Sequence, residues 1–213
     1  MPNNLDVGTY FPSPIYTISK PEFLTQTKLV VDEYVNAIRS KQKRSDLNPI
    51  YQTETIQGDD RLRDFRQFVL DTAWNILLNQ GYRMDDKSTY FESMWGQQYY
   101  KTGGMDIHTH SNGVQIIGFY FIDCPKDSSK IVIHDPRPGK KQISLQEQDI
   151  TAVSMASEMI NFDPQPGTLM FMNSWLPHSI NRHGSDKPFK FIHFNIFIGP
   201  VFKPAIASEA EVI

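Results

Sequence analysis

Apolar positions recur at helical spacing early in the chain and at strand spacing later. In "SKPEFLTQTKLVVDEYVNAIRSKQ", Phe23, Thr27, Val30, Tyr34 and Ile38 fall three or four residues apart, which predicts an amphipathic helix. Ser19 and Glu22 stand at capping-box spacing ahead of it, and Pro21 suits its first turn. A second helix is expected from Asp59 or Asp60. Leu62, Phe65, Val69, Ala73 and Ile76 form its buried stripe, and Gly81 is the stop.

From Ser88 the period changes. "STYFESMWGQQYYK", "VQIIGFYFI", "KIVIH", "SEMINF", "TLMFM" and "FKFIHFNIFIG" are short β-branched or aromatic runs separated by Gly, Pro, Asp and Asn. Many short strands with such punctuation predict an antiparallel sandwich or small barrel, with the two preceding helices on one outer sheet face. The expectation is one α+β domain over 1–213. Residues 1–87 would be mainly helical, and 88–213 would form a jelly-roll-like β core.

Composition narrows the function. The chain has 213 residues, 39% of them hydrophobic and 12% aromatic, with a formal net charge of −3. That suits a folded protein with a sizeable core. Lys and Arg are scattered, and the basic stretch "RSKQKR" reads as a helix end entering a loop, so nonspecific nucleic-acid binding is not expected. Cys124 is the only cysteine, which excludes an internal disulfide and fits a reducing compartment. The N-terminus lacks the charged start and apolar core of a signal peptide, and no apolar run approaches the ~20 residues of a membrane span. A cytoplasmic protein without a membrane partner is expected.

The candidate chemistry lies in the histidines. His108 and His110 are one residue apart, just before the apolar run "VQIIGFYF". In an extended segment residues i and i+2 share a face, so Asp106, His108 and His110 would project together. A third candidate, His178, follows the turn-strand-turn "PQPGTLMFMNSWLPHSI". Two distant strand ends can converge on one cavity in a folded-over β core. Imidazole is a good ligand for iron, copper, nickel and zinc, and an open coordination position allows chemistry. An HxH pair alone is weak evidence; the third histidine in its own strand-end setting strengthens it. His134, His183 and His193 read as satisfied or solvated side chains, with His193 sharing a strand face with Asn195. No GxSxG, P-loop or CxxC is present.

At these residues the chain resembles the 2-oxoglutarate- and iron(II)-dependent oxygenases, which have a double-stranded β-helix (jelly-roll, cupin-like) core. The nearest likeness is to a bacterial and tailed-phage subgroup with an HxH…SWLPH pattern. The likeness rests on His108 and His110 followed by "GFYF", on Asp135-Pro136-Arg137, on "PGTLMFMNSWLPHSI", and on Phe194-Asn195. An early "FPSPIY" adds to it.

The resemblance implies iron(II), 2-oxoglutarate and O2 as cofactor, cosubstrate and oxidant. It implies His108, His110 and His178 as metal ligands, with Asp106 as a substitute carboxylate. His110 stands where such sites usually carry Asp or Glu. The resemblance also implies a basic residue for the distal carboxylate of 2-oxoglutarate. The subgroup's Arg aligns with Phe189, so Lys190, one residue on, and Arg137 are the candidates, with Arg182 next. Tyr99 is expected to line the cosubstrate pocket. The leading reading is a dioxygenase, a hydroxylase of a small molecule or a protein side chain. Two others stay open: a three-histidine dioxygenase that does not use 2-oxoglutarate, and a non-enzymatic ligand-binding β scaffold.

Overall fold

The computed structural model describes residues 6–43, 45, 47 and 49–201. Strand β1 (Ile15–Ser19) precedes helix α1 (Leu24–Arg39). Short β2 (Ile50–Gln52) leads to helix α2 (Arg63–Asn79), followed by β3 (Lys87–Tyr99), β4 (Met105–His108) and β5 (Val114–Asp123). The chain ends with β6 (Ile131–His134), β7 (Met159–Phe162), β8 (Thr168–Asn173), β9 (His178–Ile180) and β10 (Phe189–Pro200). Among the described residues no helix is long and apolar enough to cross a membrane.

The strands form a six-stranded sheet ordered β1-β8-β5-β10-β3-β2 and a four-stranded sheet ordered β4-β9-β6-β7. Every pairing is antiparallel. The result is a jelly-roll-like sandwich with helices on the outside of the larger sheet, as the change of period near Ser88 predicts. Neither sheet closes into a barrel. Strands β1 and β2 were not anticipated in the helical first part; β1 pairs with β8 from Ile15↔Met172 to Ser19↔Thr168.

That pairing also corrects the predicted start of α1. Ser19 is the last residue of β1, five positions ahead of Leu24, and no side-chain cap hydrogen bond is made at the start of α1. The chain enters α1 through a one-turn 3-10 helix at Pro21–Phe23, and Glu22 pairs with Lys20 instead. For α2, the Asp59 side chain accepts a hydrogen bond from the Arg61 amide. Gly81, at φ +92°, follows its last turn as expected.

Strand alternation divides the core in two. On β10, Phe189 and Phe191 pack with Tyr99, Phe119, Phe121, Ile131 and Ile133 between the sheets. The intervening Ile192 and Phe194 pack with Val31, Phe65 and Val69 beneath the helices. With both faces covered, β10 reads as a nearly continuous apolar run. Gly118 on β5 lets this layer close. A Cβ there would lie 2.4 Å from both the Met170 carbonyl oxygen and the Phe194 ring.

Candidate metal centre

His108 lies opposite His178 across the β4–β9 ladder, and a register shift separates that pair from Met105↔Ile180. His110 follows two residues beyond, anchored by its amide on the Ser174 carbonyl, 2.9 Å away. The three rings converge, with centroids 4.4 Å apart for His108–His178, 5.1 Å for His108–His110 and 5.3 Å for His110–His178. One ligating nitrogen from each lies within 4.8 Å of the others.

The second nitrogens fix the tautomers. His108 Nδ1 lies 2.8 Å from the Asp106 carbonyl oxygen, and His178 Nδ1 lies 3.0 Å from that of Leu176. A carbonyl oxygen only accepts, so each Nδ1 carries the proton and each Nε2 keeps its lone pair for a metal. His110 Nε2 and His178 Nε2 are buried without any hydrogen-bond partner. Unsatisfied buried nitrogens are costly unless something binds them. Burial also depresses both imidazoles, His178 to about 3 and His110 to about 4, helped by the neighbouring histidines. They stay neutral, the form that ligates. The residues present therefore fit a divalent transition metal. Asp106 contributes its carbonyl, and its carboxylate is not part of the cluster.

The wall beyond the cluster comes from the larger sheet. His193 lies level with Trp95 on β3 and Phe119 on β5. Its ring is 5.2 Å from His110, and its Nδ1–H donates to the Gly118 carbonyl at 2.9 Å. Burial holds its pKa well below the usual value. Asn195, the next inward residue, lies beside His110 and hydrogen-bonds Ser93. Trp95 Nε1 and Asn195 Oδ1 are buried and unpartnered.

The other sequence candidates are distributed differently. Tyr99 is fully buried between the sheets against Phe189 and Phe191, with its hydroxyl unpartnered. Arg137 is exposed and forms a two-pronged pair with Asp135. It borders a cleft of about 480 Å³ that opens between edge strands β1 and β7 and is lined by Tyr10, Phe11, Ile15, Ile133, Ile160 and Leu176. Arg182 is exposed and donates to the Thr102 carbonyl. Lys190 corrects the expectation placed on it. It shares the helix-facing side of β10 with Ile192 and Phe194, where it pairs with Asp32 of α1 and, at 3.2 Å, with Asp123. Alternation along β10 makes this unavoidable once Phe189 and Phe191 face inward.

His134 and His183 are engaged as expected. His134 Nε2 is 2.9 Å from Ser179 Oγ, and His183 accepts from the Ser129 amide and donates to the Lys187 carbonyl. Sequence reasoning missed Trp95 and Ser129. Ser129 has a fully buried, unpartnered hydroxyl. A serine in the turn "DSSK" carries no sequence signal of that.

Residues 93–195, which include His108, His110 and His178, match the family model described as "Putative 2OG-Fe(II) oxygenase". No curated protein matches the chain. Solved structures share the fold at low identity. AviO1 from Streptomyces viridochromogenes Tue57 superposes with a TM-score of 0.61 at 10% identity, over 90% of this chain and 92% of that one. A Pseudomonas putida prolyl-4-hydroxylase gives 0.57 at 8% identity, over 87% and 92%. The viral collagen prolyl hydroxylase of Paramecium Bursaria Chlorella virus-1, solved with 2OG, gives 0.56 at 11%, over 86% and 94%.

Proposed function

We propose that this protein is a non-haem iron(II)- and 2-oxoglutarate-dependent dioxygenase, a hydroxylase of a small molecule or a protein side chain. The observation that carries the reading is the convergence of three imidazoles inside the sandwich, two of them with buried, unpartnered Nε2 atoms. His108, His110 and His178 would hold iron(II). When bound, iron and 2-oxoglutarate supply activation of O2 and oxidation of the substrate. The chain's own part is orientation and exclusion of water. The Asp106 and Leu176 carbonyls fix two ligand rings, and Phe119, His193 and Trp95 wall the cluster off. The cleft between β1 and β7 reaches Ile133, the cross-strand partner of His178, and is a route for substrate.

The test is anaerobic iron loading followed by 2-oxoglutarate titration, read as a metal-to-ligand charge-transfer band in the visible spectrum. Iron retention with neither this band nor succinate production under O2 would sink the reading. Two observations favour a second one, a three-histidine dioxygenase that does not use 2-oxoglutarate. The donor set contains no carboxylate, and Lys190 faces away from the cluster. O2 consumption that is independent of 2-oxoglutarate would support it.

A further inference from the structure

The cleft of about 480 Å³ between β1 and β7 has a charge pattern that the metal centre does not explain. Strands β6 and β7 pair from Ile131↔Phe162 to His134↔Met159, and the Asp135 amide, donating to the Glu158 carbonyl at 2.8 Å, continues the ladder by one rung. Alternation places Asp135 on the side of Ile133 and Glu158 on the side of Ile160, and all four line the cleft. Past the apolar Ile133–Ile160 rung, the mouth therefore carries two carboxylates on facing strands. Like charges placed opposite each other are destabilising unless something compensates them.

The compensation is one-sided. Arg137 grips Asp135 with two nitrogens, and Lys140 approaches the same carboxylate at 3.8 Å. Lys140 lines the neighbouring cleft, and its ammonium donates to the Ala156 carbonyl. Glu158 is exposed, and among the described residues no cation or hydrogen-bond donor meets its carboxylate. The charged residues lining the cleft are thus Asp135, Glu158 and Arg137, an excess of negative charge. Two aromatic rings line the same cleft, Tyr10 and Phe11, and they are 81% and 96% exposed. An organic cation gains from both kinds of group, by charge pairing with a carboxylate and by contact with a ring face.

Resting on the dioxygenase reading above, we propose that the substrate is an organic ammonium, held at the cleft mouth by Glu158 and the Tyr10 and Phe11 rings, with its aliphatic part extending inward over Ile133 toward the metal centre. The cleft reaches Leu176, whose carbonyl fixes the His178 ring, and Ile133, the cross-strand partner of His178. Carbon, not nitrogen, then lies nearest the metal. A free alkylamine and the side chain of a lysine share this chemistry.

The test uses the full chain loaded with manganese(II) and titrated with hexylamine, hexan-1-ol and hexanoate, at low salt where exposed charges are least screened. Hexylamine should bind roughly tenfold more tightly than either comparator, from the carboxylate and the rings together. Manganese(II) is paramagnetic, so proton relaxation of the bound amine should be fastest at its methyl end and slowest beside its nitrogen. Glu158→Gln should weaken hexylamine roughly twofold to fivefold. Phe11→Leu, which keeps apolar bulk and removes the ring face, should do likewise. Binding of hexan-1-ol should be unchanged in both, which also certifies that the variants are folded. Nα-acetyl-lysine N-methylamide distinguishes the two sources: tighter binding than hexylamine assigns a polypeptide lysine, weaker binding assigns a free amine, and either supports the class. Equal affinity for the three head groups, or relaxation fastest beside the nitrogen, would overturn the proposal. The dioxygenase reading would survive that result if the iron-loaded protein shows its 2-oxoglutarate band. A chain that retains no manganese yet still prefers hexylamine would end the dioxygenase reading and overturn the ammonium's role as substrate.

Discussion

His108 and His178 are cross-strand partners on β4 and β9, with rings 4.4 Å apart, although 70 positions separate them in sequence. The ladder therefore does the work of assembly: once β9 pairs with β4, two of the candidate ligands meet without any loop having to find its place. Each ring is also tied to a carbonyl two residues earlier in its own segment, Asp106 for His108 and Leu176 for His178. Both rings are thus oriented by local backbone, which would lower the ordering cost of binding a metal there.

Replacing His178 with Ala should abolish retention of iron through gel filtration, measured by metal analysis, because two imidazoles remain. Full occupancy in that variant would exclude His178 as a ligand. His183→Ala is the contrast. His183 spans the Ser129 amide and the Lys187 carbonyl, so its loss should cost about 1–3 kcal/mol of stability and leave metal content near wild type.

Gly118→Ala should be severely destabilising. The added methyl would meet the Met170 carbonyl and the Phe194 ring at 2.4 Å. Overpacking in cores typically costs about 1–3 kcal/mol, and a backbone oxygen cannot move aside as a side chain can, so the upper end is expected. The same residue accepts the His193 Nδ1 hydrogen bond, so any folded variant should also bind metal less well. Denaturant unfolding with wild-type stability would show that the β5–β8–β10 layer is looser than the structure implies.

Much of this arrangement is legible before folding. The stripes of α1 and α2 and the strand runs after Ser88 follow from periodicity, which reports which face of an element is buried; His108 and His110 share a face by the same rule, and His178 stands out by its turn-strand-turn setting. Ser19 shows where that logic fails. Its capping-box spacing is a local signal, overridden when Ser19 pairs with Thr168, 149 positions away. Lys190 fails differently. Alternation along β10 turns it toward the helices, and reading it as a cosubstrate anchor required a slip in register that the Phe189↔Tyr99 pairing does not contain. Ser129 is invisible in sequence because a buried, unpartnered hydroxyl is a property of the assembled corner.

Lys190 should act as a strut between helix and sheet. Its ammonium pairs with Asp32 of α1 and Asp123 of β5, and Lys28 binds both carboxylates from outside. Removing one partner of a fully buried pair costs roughly 3–5 kcal/mol. Asp32 and Asp123 are each about a third exposed, so solvent screens them and about 2 kcal/mol is a fairer expectation for Lys190→Met. A double-mutant cycle with Asp32→Asn should show coupling. Strict additivity would mean that the pair contributes packing alone.

The same network sets a pH dependence. Burial by itself would raise the Asp123 carboxyl, but Lys28 and Lys190 outweigh it and hold the group below its usual value. The folded protein thus binds that proton less readily than the unfolded chain, whose Asp titrates near ~3.9. A depressed folded pKa contributes stability above the unfolded pKa, and the contribution is lost as pH falls through the folded one. Wild type should therefore melt above Asp123→Asn at about pH 6, and the gap should close progressively below about pH 4. Asp59 and Asp135 are depressed as well, by Arg61 and Arg137, but both remain in the variant, so the difference between the two curves isolates Asp123. Melting temperatures that run parallel down to about pH 2 would mean that Asp123 titrates alike in both states and that its lysine partners give no net stabilisation.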